Sequence, residues 1–282
     1  MRSPALEFGD GAARFVAYTP RPPISRHVAL IWQAFDQPNP RPEKVLPNGV
    51  VELIFNLGPP QRVVDAEDPG RFTRYHASWL AGMQRSFLVI AAEHTSELLG
   101  IRFRPGGAHA LLRRPLAEFN NRVVEFEQVE RAWADELRDR LHAAPPGLPR
   151  VELTEAMLLR RLDPDAGDPR VAMLVARLAA APHAVSIADL AADLGVSQKH
   201  LIHLCKQQVG LPPKLLSRVL RFHAVVSGLE RAPSPHWSDI AARHGYSDQA
   251  HLIGEFKEFA GVTPREYLRR RLPDANHIVA DR

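Results

Sequence analysis

Cysteine is nearly absent from this sequence, and that absence limits the kinds of protein it can encode. Cys205 is the single cysteine among 282 residues, so neither an intramolecular disulfide nor a cysteine-based metal site can form. The first residues, Met1 to Pro4, lead into no apolar segment of the signal-peptide kind. No window approaches the roughly 18 unbroken apolar residues of a transmembrane helix. We therefore expect a soluble, cytoplasmic protein without a membrane partner, in which Cys205 is a buried apolar side chain.

Motifs for catalysis are also missing. The sequence contains neither a Gly-rich phosphate loop nor a Gly-x-Ser-x-Gly nucleophile turn. Three histidines of the N-terminal half stand apart and form no His-x-His pair: His76, His94 and His109. His200 and His203 lie near Cys205, but the thiol is expected to face inward and His203 outward, so the three do not converge on a metal. The sequence predicts no catalytic residue, no metal site and no cofactor.

The net charge is small and unevenly placed. It is +4 for the whole chain, and residues 168–282 hold 15 Lys and Arg against 11 Asp and Glu, whereas residues 1–167 hold 21 of each kind. The length allows about two domains. A positive excess in the C-terminal part favours contact with phosphates. A positive excess of this size is also typical of an ordinary solvated surface, so the interpretation as a phosphate-binding surface needs support from a motif.

A repeated pattern in the C-terminal third supplies that support. Residues 186–197 (SIADLAADLGVS) are echoed by residues 236–247 (HWSDIAARHGYS), and both copies place Ala, Gly and Ser at the same spacing. Each copy is followed by a second helical stretch, which ends in Lys206 or Lys257 and then Gly and Pro. This is the pattern of two helix-turn-helix units. One copy alone fits an ordinary helical hairpin; two matching copies favour units that place a helix in the major groove of DNA.

The residues of one unit explain the pattern. Ile187, Leu190 and Leu194 share one face of a short helix that Ser186 can cap. Gly195 ends this helix, because a tight turn needs positive φ, and Ser197 caps the next helix. In the second copy, Gly245 is predicted to form the turn and Ser247 the cap.

A long helix is predicted between the two units, over Pro213–Leu229, until Ala232-Pro233-Ser234-Pro235 stops it. Its length of about 25 Å would hold two DNA-reading helices on successive major grooves, about 34 Å apart. A last helix begins at Pro264. The residues predicted to face DNA are Gln198, Lys199, Ile202, His203 and Lys206 in the first unit and Gln249, Ala250, Ile253 and Lys257 in the second. Those predicted to contact phosphates are Arg218, Arg265 and Arg269, with Arg221 either a further phosphate contact or a buried ion-pair partner.

Residues 170–272 resemble the DNA-binding domain of AraC-type transcriptional regulators. The string Gly-Tyr-Ser-Asp-Gln-Ala-His-Leu with the later Phe-Lys and Gly-Val-Thr-Pro carries the resemblance, together with the first-copy residues Ala191, Gly195, Ser197, Leu201, Lys206, Gly210, Pro213 and Arg221. The resemblance implies that the helices after Ser197 and Ser247 read promoter DNA. This chain departs from the family at three positions. His203 and Gly254 stand where family members often have Arg, and Cys205 stands where they usually have Phe. Without a side chain at Gly254, base reading by the second helix would depend on Gln249, whose amide can pair with adenine.

The N-terminal half reads as β structure. Prolines crowd residues 20–60 and argue against long helices. Strands are predicted at His27–Phe35, Val50–Leu57, Ser78–Ala91 and Ser96–Phe103, with a short helix at Ala108–Arg113. Helices are predicted from about residue 129 to 162, and residues 163–169 read as a linker.

Two strings of this half, residues 46–57 and 100–107, are similar to a cupin-like domain. The resemblance implies a sensory or dimerising role and does not identify a ligand. The expected partners besides DNA are a small-molecule effector, RNA polymerase and a second copy of the chain. Glu52 stands within an apolar strand, and Arg102 alternates with Arg104. An ion pair or solvent exposure is favoured over a ligand contact for these charges.

The predicted fold class is α+β: a small, cupin-like N-terminal β-barrel with a helical extension, and an all-α C-terminal domain of two helix-turn-helix units joined by a linking helix. The predicted bounds are 1–125 for the β domain, 126–162 for the extension, 163–169 for the linker, 170–272 for the DNA-binding domain and 273–282 for a tail. The predicted function is a non-enzymatic, sequence-specific transcription regulator, whether activator or repressor. The alternatives are a cupin-type metalloenzyme or an alkyl-transfer repair protein with a DNA-binding tail, and a helical adaptor that binds protein.

Overall fold

A computed structural model gives the fold of most of the chain. It describes residues 3–10, 13–36, 39–65, 68, 70–92, 94–163, 165–229, 235–274 and 276–280. Three parts of the predictions above lie outside these residues: Pro164 in the linker, residues 232–234 in the predicted stop after the long helix, and residues 275, 281 and 282 in the tail.

Strands form two antiparallel sheets in the N-terminal part. Their bounds are β1 Leu6–Asp10, β2 Ala13–Tyr18, β3 Val28–Asp36, β4 Asn39–Val45, β5 Glu52–Asn56, β6 Gln61–Val64, β7 Phe72–Tyr75, β8 Ser78–Ala81, β9 Leu88–Ala92, β10 Ser96–Phe103, β11 Val123–Glu125 and β12 His277–Val279. The larger sheet has the order β1-β2-β3-β10-β5-β8-β11, and the smaller has the order β12-β4-β9-β6-β7. The small β domain predicted from the sequence is thus built from two facing sheets.

The predicted strand Ser96–Phe103 is confirmed, and β3 and β5 lie within two residues of their predicted bounds. The single predicted strand Ser78–Ala91 is wrong, because the structure divides it into β8 and β9, which belong to different sheets. The backbone N–H of Gly82, one residue beyond β8, donates to Arg122 O at 3.0 Å. Gln84, Arg85 and Ser86 interrupt the apolar pattern here, and the prediction of a single strand passed over this polar break.

Alternation along each strand places two apolar layers on opposite faces of the larger sheet. One face of β10 carries Leu99, Ile101 and Phe103, all fully buried in a core that continues into the helices. The other face contacts the smaller sheet through a second cluster that includes Trp32 and Tyr75. The two sheets therefore enclose a narrow apolar interior.

Helices cover the first of these faces. They are α1 His109–Leu112, α2 Glu127–Ala143 and α3 Leu148–Leu159, which agree with the predicted helical stretches. Trp133, Leu137 and Leu141 of α2 are buried against the sheet, as their spacing predicted. In the predicted linker, the N–H of Asp163 donates to Ala110 O at 3.0 Å, and this bond ties the segment to α1.

The C-terminal part is helical. Its elements are α4 Pro169–Ala180, α5 Ile187–Asp193, α6 Gln198–Gln208, α7 Pro213–Leu229, α8 Trp237–Arg243, α9 Gln249–Ala260 and α10 Pro264–Arg270. The predicted bounds of the long helix, α7, are confirmed. Its apolar positions, among them Leu216, Val219, Phe222 and Val226, are fully buried and hold the other helices together. None of the described helices is both long and apolar enough to cross a membrane.

The predicted tail returns to the N-terminal sheet. β12 pairs with β4, with Ile278 opposite Lys44, and Leu46 N donates to Asn276 O at 2.7 Å. The Arg271 guanidinium donates to Leu229 O at the end of α7, at 2.9 Å. The end of the chain therefore fastens the helical part to the β domain.

Candidate nucleic-acid interface

The first helix-turn-helix unit forms as its local sequence predicts. The Ser186 hydroxyl accepts from Asp189 N at 3.3 Å and caps α5, and the Ser197 hydroxyl accepts from His200 N at 3.2 Å and caps α6. Gly195, between the two helices, has φ +67°, a conformation that glycine adopts without steric cost. Leu201 and Cys205 turn inward and are fully buried. These contacts fix α6, the first recognition helix, on the surface of the domain.

The outward face of α6 carries the side chains predicted to meet DNA. Gln198, Lys199, His203 and Lys206 are exposed, and Ile202 is half-buried. Two of them, Gln198 and Lys199, lie in its first turn. This is the end that enters the major groove in helix-turn-helix proteins.

The second unit repeats the arrangement with one correction. Asp248 caps α9, because its Oδ1 accepts from His251 N at 2.7 Å, and the predicted cap Ser247 instead contacts the His251 ring at 3.1 Å. Either residue type can cap a helix, so the local sequence does not decide between two neighbours. The turn residue Gly245 has φ +70°, and a Cβ there would lie 2.4 Å from His183 Cβ.

The outward face of α9, the second recognition helix, is poorer in hydrogen-bond donors. Gln249, Ala250 and Lys257 are exposed, and Ile253 is half-buried. The space around Gly254 is open, with no atom within 4 Å of where its Cβ would be. The long polar side chains of this face are therefore Gln249, in the first turn, and Lys257, in the last.

An ion-pair network ties α7 to α9. The Glu255 carboxylate is 3% exposed, and its two oxygens accept from Arg221 Nη2 at 2.9 and 2.8 Å. Arg218 Nε donates to the same carboxylate at 2.8 Å, and Arg218 Nη2 donates to Glu258 at 2.6 Å. The Arg221 guanidinium also lies 4.2 Å from the centre of the Tyr246 ring. Burial, together with Glu255, raises the pKa of the Tyr246 hydroxyl.

This network bears on two predictions. Arg218 was expected to contact phosphate, and its guanidinium pairs with the carboxylates of Glu255 and Glu258. Its contact with phosphate stays a prediction. Arg221 takes the alternative role, a buried ion-pair partner. Sequence reasoning missed both pairings with Glu255, because its carboxylate lies 34 and 37 positions further along the chain. Arg265 and Arg269 remain exposed on α10.

A cleft of about 1040 Å³ opens between the two units. Gln198 and Ile202 of α6 line one side, His251 and Gly254 of α9 line the other, and α7 forms the floor. Of the predicted DNA-facing residues, Gln198 and Ile202 line this concave surface, whereas α9 contributes His251 and Gly254 instead of its predicted DNA-facing residues.

Comparison with known proteins bears directly on this surface. Residues 190–270, which contain both recognition helices, match a family described as a helix-turn-helix domain. The C-terminal part is an AraC-type helix-turn-helix domain. The chain is therefore a DNA-binding transcriptional regulator. Residues 16–125 match a family described as a domain of unknown function (DUF6597), and no protein of curated function matches the sequence.

Solved structures similar to this chain include whole regulators and isolated AraC-type domains. ToxT from Vibrio cholerae is 12% identical over 83% of this chain and 97% of its own, with a TM-score of 0.43. ToxT bound to an unsaturated fatty acid is 12% identical over 95% of this chain and 97% of its own, with a TM-score of 0.46. A regulator with an AraC-type domain from Chromobacterium violaceum is 27% identical over 35% of this chain and 88% of its own, with a TM-score of 0.32.

Cys205 of the AraC-type domain lacks the environment of a reactive thiol. It is fully buried, its Sγ donates to Leu211 O at 3.2 Å, and burial raises its pKa to about 12. Nucleophilic cysteines have the opposite property, a lowered pKa. Across the described residues, no group of three or more His, Cys, Asp or Glu side chains is placed to hold a metal ion.

The charged residues singled out in the β domain form an internal ion pair. Arg102 Nε donates to Glu52 Oε1 at 2.7 Å, and Trp32 Nε1 donates to the same oxygen at 3.1 Å. Arg104 points elsewhere and donates to Ser25 O at 2.8 Å. The ion-pair interpretation is therefore confirmed for Glu52 and Arg102.

Proposed function

We propose that this regulator reads DNA with α6 and α9 in successive major grooves on one face of the duplex. The observation that carries the proposal is that the outward faces of α6 and α9 are both exposed and that the two helices border one cleft, whose floor is α7. The two helices are joined by α7, whose 17 residues span about 25 Å. Successive grooves lie about 34 Å apart, a distance that α7 approaches but does not reach on its own.

The two recognition helices are proposed to read DNA unequally. In α6, Gln198, Lys199 and His203 offer donors for base edges, and Lys206 offers a charge for the backbone. In α9, Gln249 is the proposed base contact, with adenine as its natural partner. Ala250 and Ile253 contribute apolar contact to thymine methyl groups. We propose that Lys257, Arg265 and Arg269 contact phosphates.

The first experiment selects genomic DNA fragments with the purified full-length protein and measures their affinity as salt is varied. We expect Lys199→Ala or His203→Ala to weaken binding by about 1–3 kcal/mol, and Gln249→Ala to relax the preference at one base pair. The Arg265→Ala, Arg269→Ala double variant should lower the salt slope by about 2. Arg131→Ala is the control, because Arg131 is an exposed cation of α2 in the other part of the chain. Unchanged affinity in all the recognition variants would contradict the proposal.

A binding role is proposed in preference to a catalytic one, and the burial of Cys205 supports it against the alkyl-transfer alternative. Metal analysis tests the cupin-type alternative, since stoichiometric iron, manganese or zinc would favour an enzyme. The protein adaptor would be favoured by the absence of salt-sensitive affinity for DNA.

We further propose that a small-molecule effector acts through the N-terminal domain, and that the chain forms a homodimer, contacts RNA polymerase and works in the cytoplasm. Thermal shifts with a metabolite library and sedimentation analysis test the first two. The resemblance to AraC-type regulators with cupin-like domains supports these proposals.

A further inference from the structure

Two loops of the N-terminal domain are joined into one rigid element, which we name the brace: residues 82–87, between β8 and β9, and residues 116–122, before β11. Gly82 N donates to Arg122 O at 3.0 Å, and Asn121 N donates to Met83 O at 2.8 Å. Arg85 N donates to Asn121 Oδ1 at 3.3 Å. A Cβ at Gly82 would lie 1.9 Å from Phe119 O, so the backbones of the two loops are in direct contact.

The brace contacts the C-terminal end of α6. Asn120 Nδ2 donates to Gly210 O, and a Cβ at Gly210 would lie 2.7 Å from Asn120 Oδ1 and 3.4 Å from Leu116 O. Gly210 is buried with φ +107°. The end of the first recognition helix is therefore held by side chain and backbone of the brace.

The brace also contacts the C-terminal end of α9. Phe87 N donates to Phe259 O at 3.1 Å. The Phe87 ring covers Gly261, the αL residue that ends the helix, so closely that a Cβ there would lie 2.4 Å from Cε1 of the ring. Lys44 Nζ lies 4.2 Å from the centre of the same ring on the domain side. Both recognition helices are thus held at corresponding points, and their DNA-facing first turns stay exposed.

We propose that the brace sets the separation of the two recognition helices, so that Asn120 and Phe87 determine which spacing of DNA half-sites the protein accepts. They are positioning residues, because they lie at the ends of the helices remote from the bases. This inference rests on the proposed function. The physical reason is that α7 joins the two units on one side only, so that each recognition helix could still tilt. The contacts of the brace with the C-terminal ends of α6 and α9 remove this freedom.

The strands that carry the brace also border the interior of the β domain. Trp79 of β8 belongs to the apolar cluster between the sheets, with Val123 of β11 packed against it, and Tyr75 OH donates to Val123 O at 2.9 Å.

The experiment uses the full-length protein and a DNA fragment selected by it. The two half-sites are moved apart or together by one and two base pairs, and by five, and the affinity of each duplex is measured. One base pair turns a half-site by about 35°, so we expect the wild-type affinity to fall about tenfold for each step. Asn120→Ala and Phe87→Ala should make the affinity depend less on half-site spacing. For each variant we expect the affinity to fall about threefold to tenfold at the best spacing, and the affinity for a duplex with a single half-site to change little.

Ser86→Ala is the matched control, since Ser86 lies beside Phe87 in the brace and should keep the wild-type profile. Melting temperature and circular dichroism establish that each variant is folded; should Phe87→Ala unfold, Phe87→Leu and Asn120→Ala give the test. Equal losses at all spacings, or an unchanged profile, would overturn the inference while leaving the proposed function intact. A wild-type protein that binds no duplex selectively would instead overturn the proposed function.

Discussion

The buried carboxylate of Glu255, between α7 and α9, should contribute more to stability than the exposed carboxylate of Glu258 on the same helix. Glu255→Gln removes the charge and keeps the shape. The side chain of Glu255 is 3% exposed and that of its partner Arg221 is 13% exposed, so the substitution leaves a guanidinium in a poorly solvated site. Removing one partner of a buried ion pair costs about 3–5 kcal/mol. Because Arg218 is more exposed, at 30%, we expect the lower end, about 3 kcal/mol.

Glu258→Gln is the matched control. It is the same substitution on the same helix and affects the same Arg218, but the Glu258 side chain is 56% exposed. Exposed pairs contribute about 0.2–1 kcal/mol. For a cooperative unit of about 150–250 residues, the size range nearest to this chain, 1 kcal/mol corresponds to about 2–4 °C of melting temperature. Thermal unfolding should therefore show a loss of roughly 6–12 °C for Glu255→Gln and of about 4 °C or less for Glu258→Gln. Equal losses would refute the assignment of Glu255 as the tie between the helices.

Three further predictions concern glycine, pH and the thiol. Gly254→Ala should raise the unfolding free energy by about 1 kcal/mol, because Gly254 lies in the middle of α9 with open space around it. Gly245→Ala should lower the unfolding free energy by about 2 kcal/mol, because Gly245 has a positive φ and His183 lies close to the position of the added Cβ. Urea unfolding that ranks the two variants the other way would contradict both predictions. Burial disfavours the His277 imidazolium, but the hydrogen bond to Glu43 and nearby carboxylates raise the pKa of His277 above its ordinary value. The contribution of His277 to the unfolding free energy is therefore complete below about pH 6.5 and is lost as pH rises through the folded pKa. The difference in stability between wild type and His277→Gln should shrink over that rise, and a difference that widens would contradict the raised pKa. The buried Cys205 should react with a disulfide reagent at pH 8 roughly a thousandfold more slowly than in urea, and complete labelling of native protein within seconds would exclude its burial.

Local sequence was enough to predict the elements that fold from their own residues. The two Ser caps of the first unit, the turns at Gly195 and Gly245, and the ends of α7 depend on neighbours a few positions away. The outward faces of α6 and α9 followed from helical periodicity, because the inward positions are apolar.

What failed depends on contacts between distant residues. The polar residues Gln84, Arg85 and Ser86 mark the loop at residues 82–87 locally, but the path of this loop depends on hydrogen bonds to residues 121 and 122. β12 pairs with residues 43–45, more than 230 positions away. Arg218 and Arg221 look alike in the sequence, and their partners become visible only when α9 packs on α7.

Interference by guanine N7 methylation on a selected DNA fragment tests the central claim most directly. The N7 atom lies in the major groove, so methylation there blocks a helix that enters the groove. Two helices in successive grooves predict two clusters of interfering positions, about 10 base pairs apart on one face of the duplex. Lys199→Ala should weaken the interference of one cluster and Gln249→Ala that of the other. A single cluster, or two on opposite faces, would contradict the account.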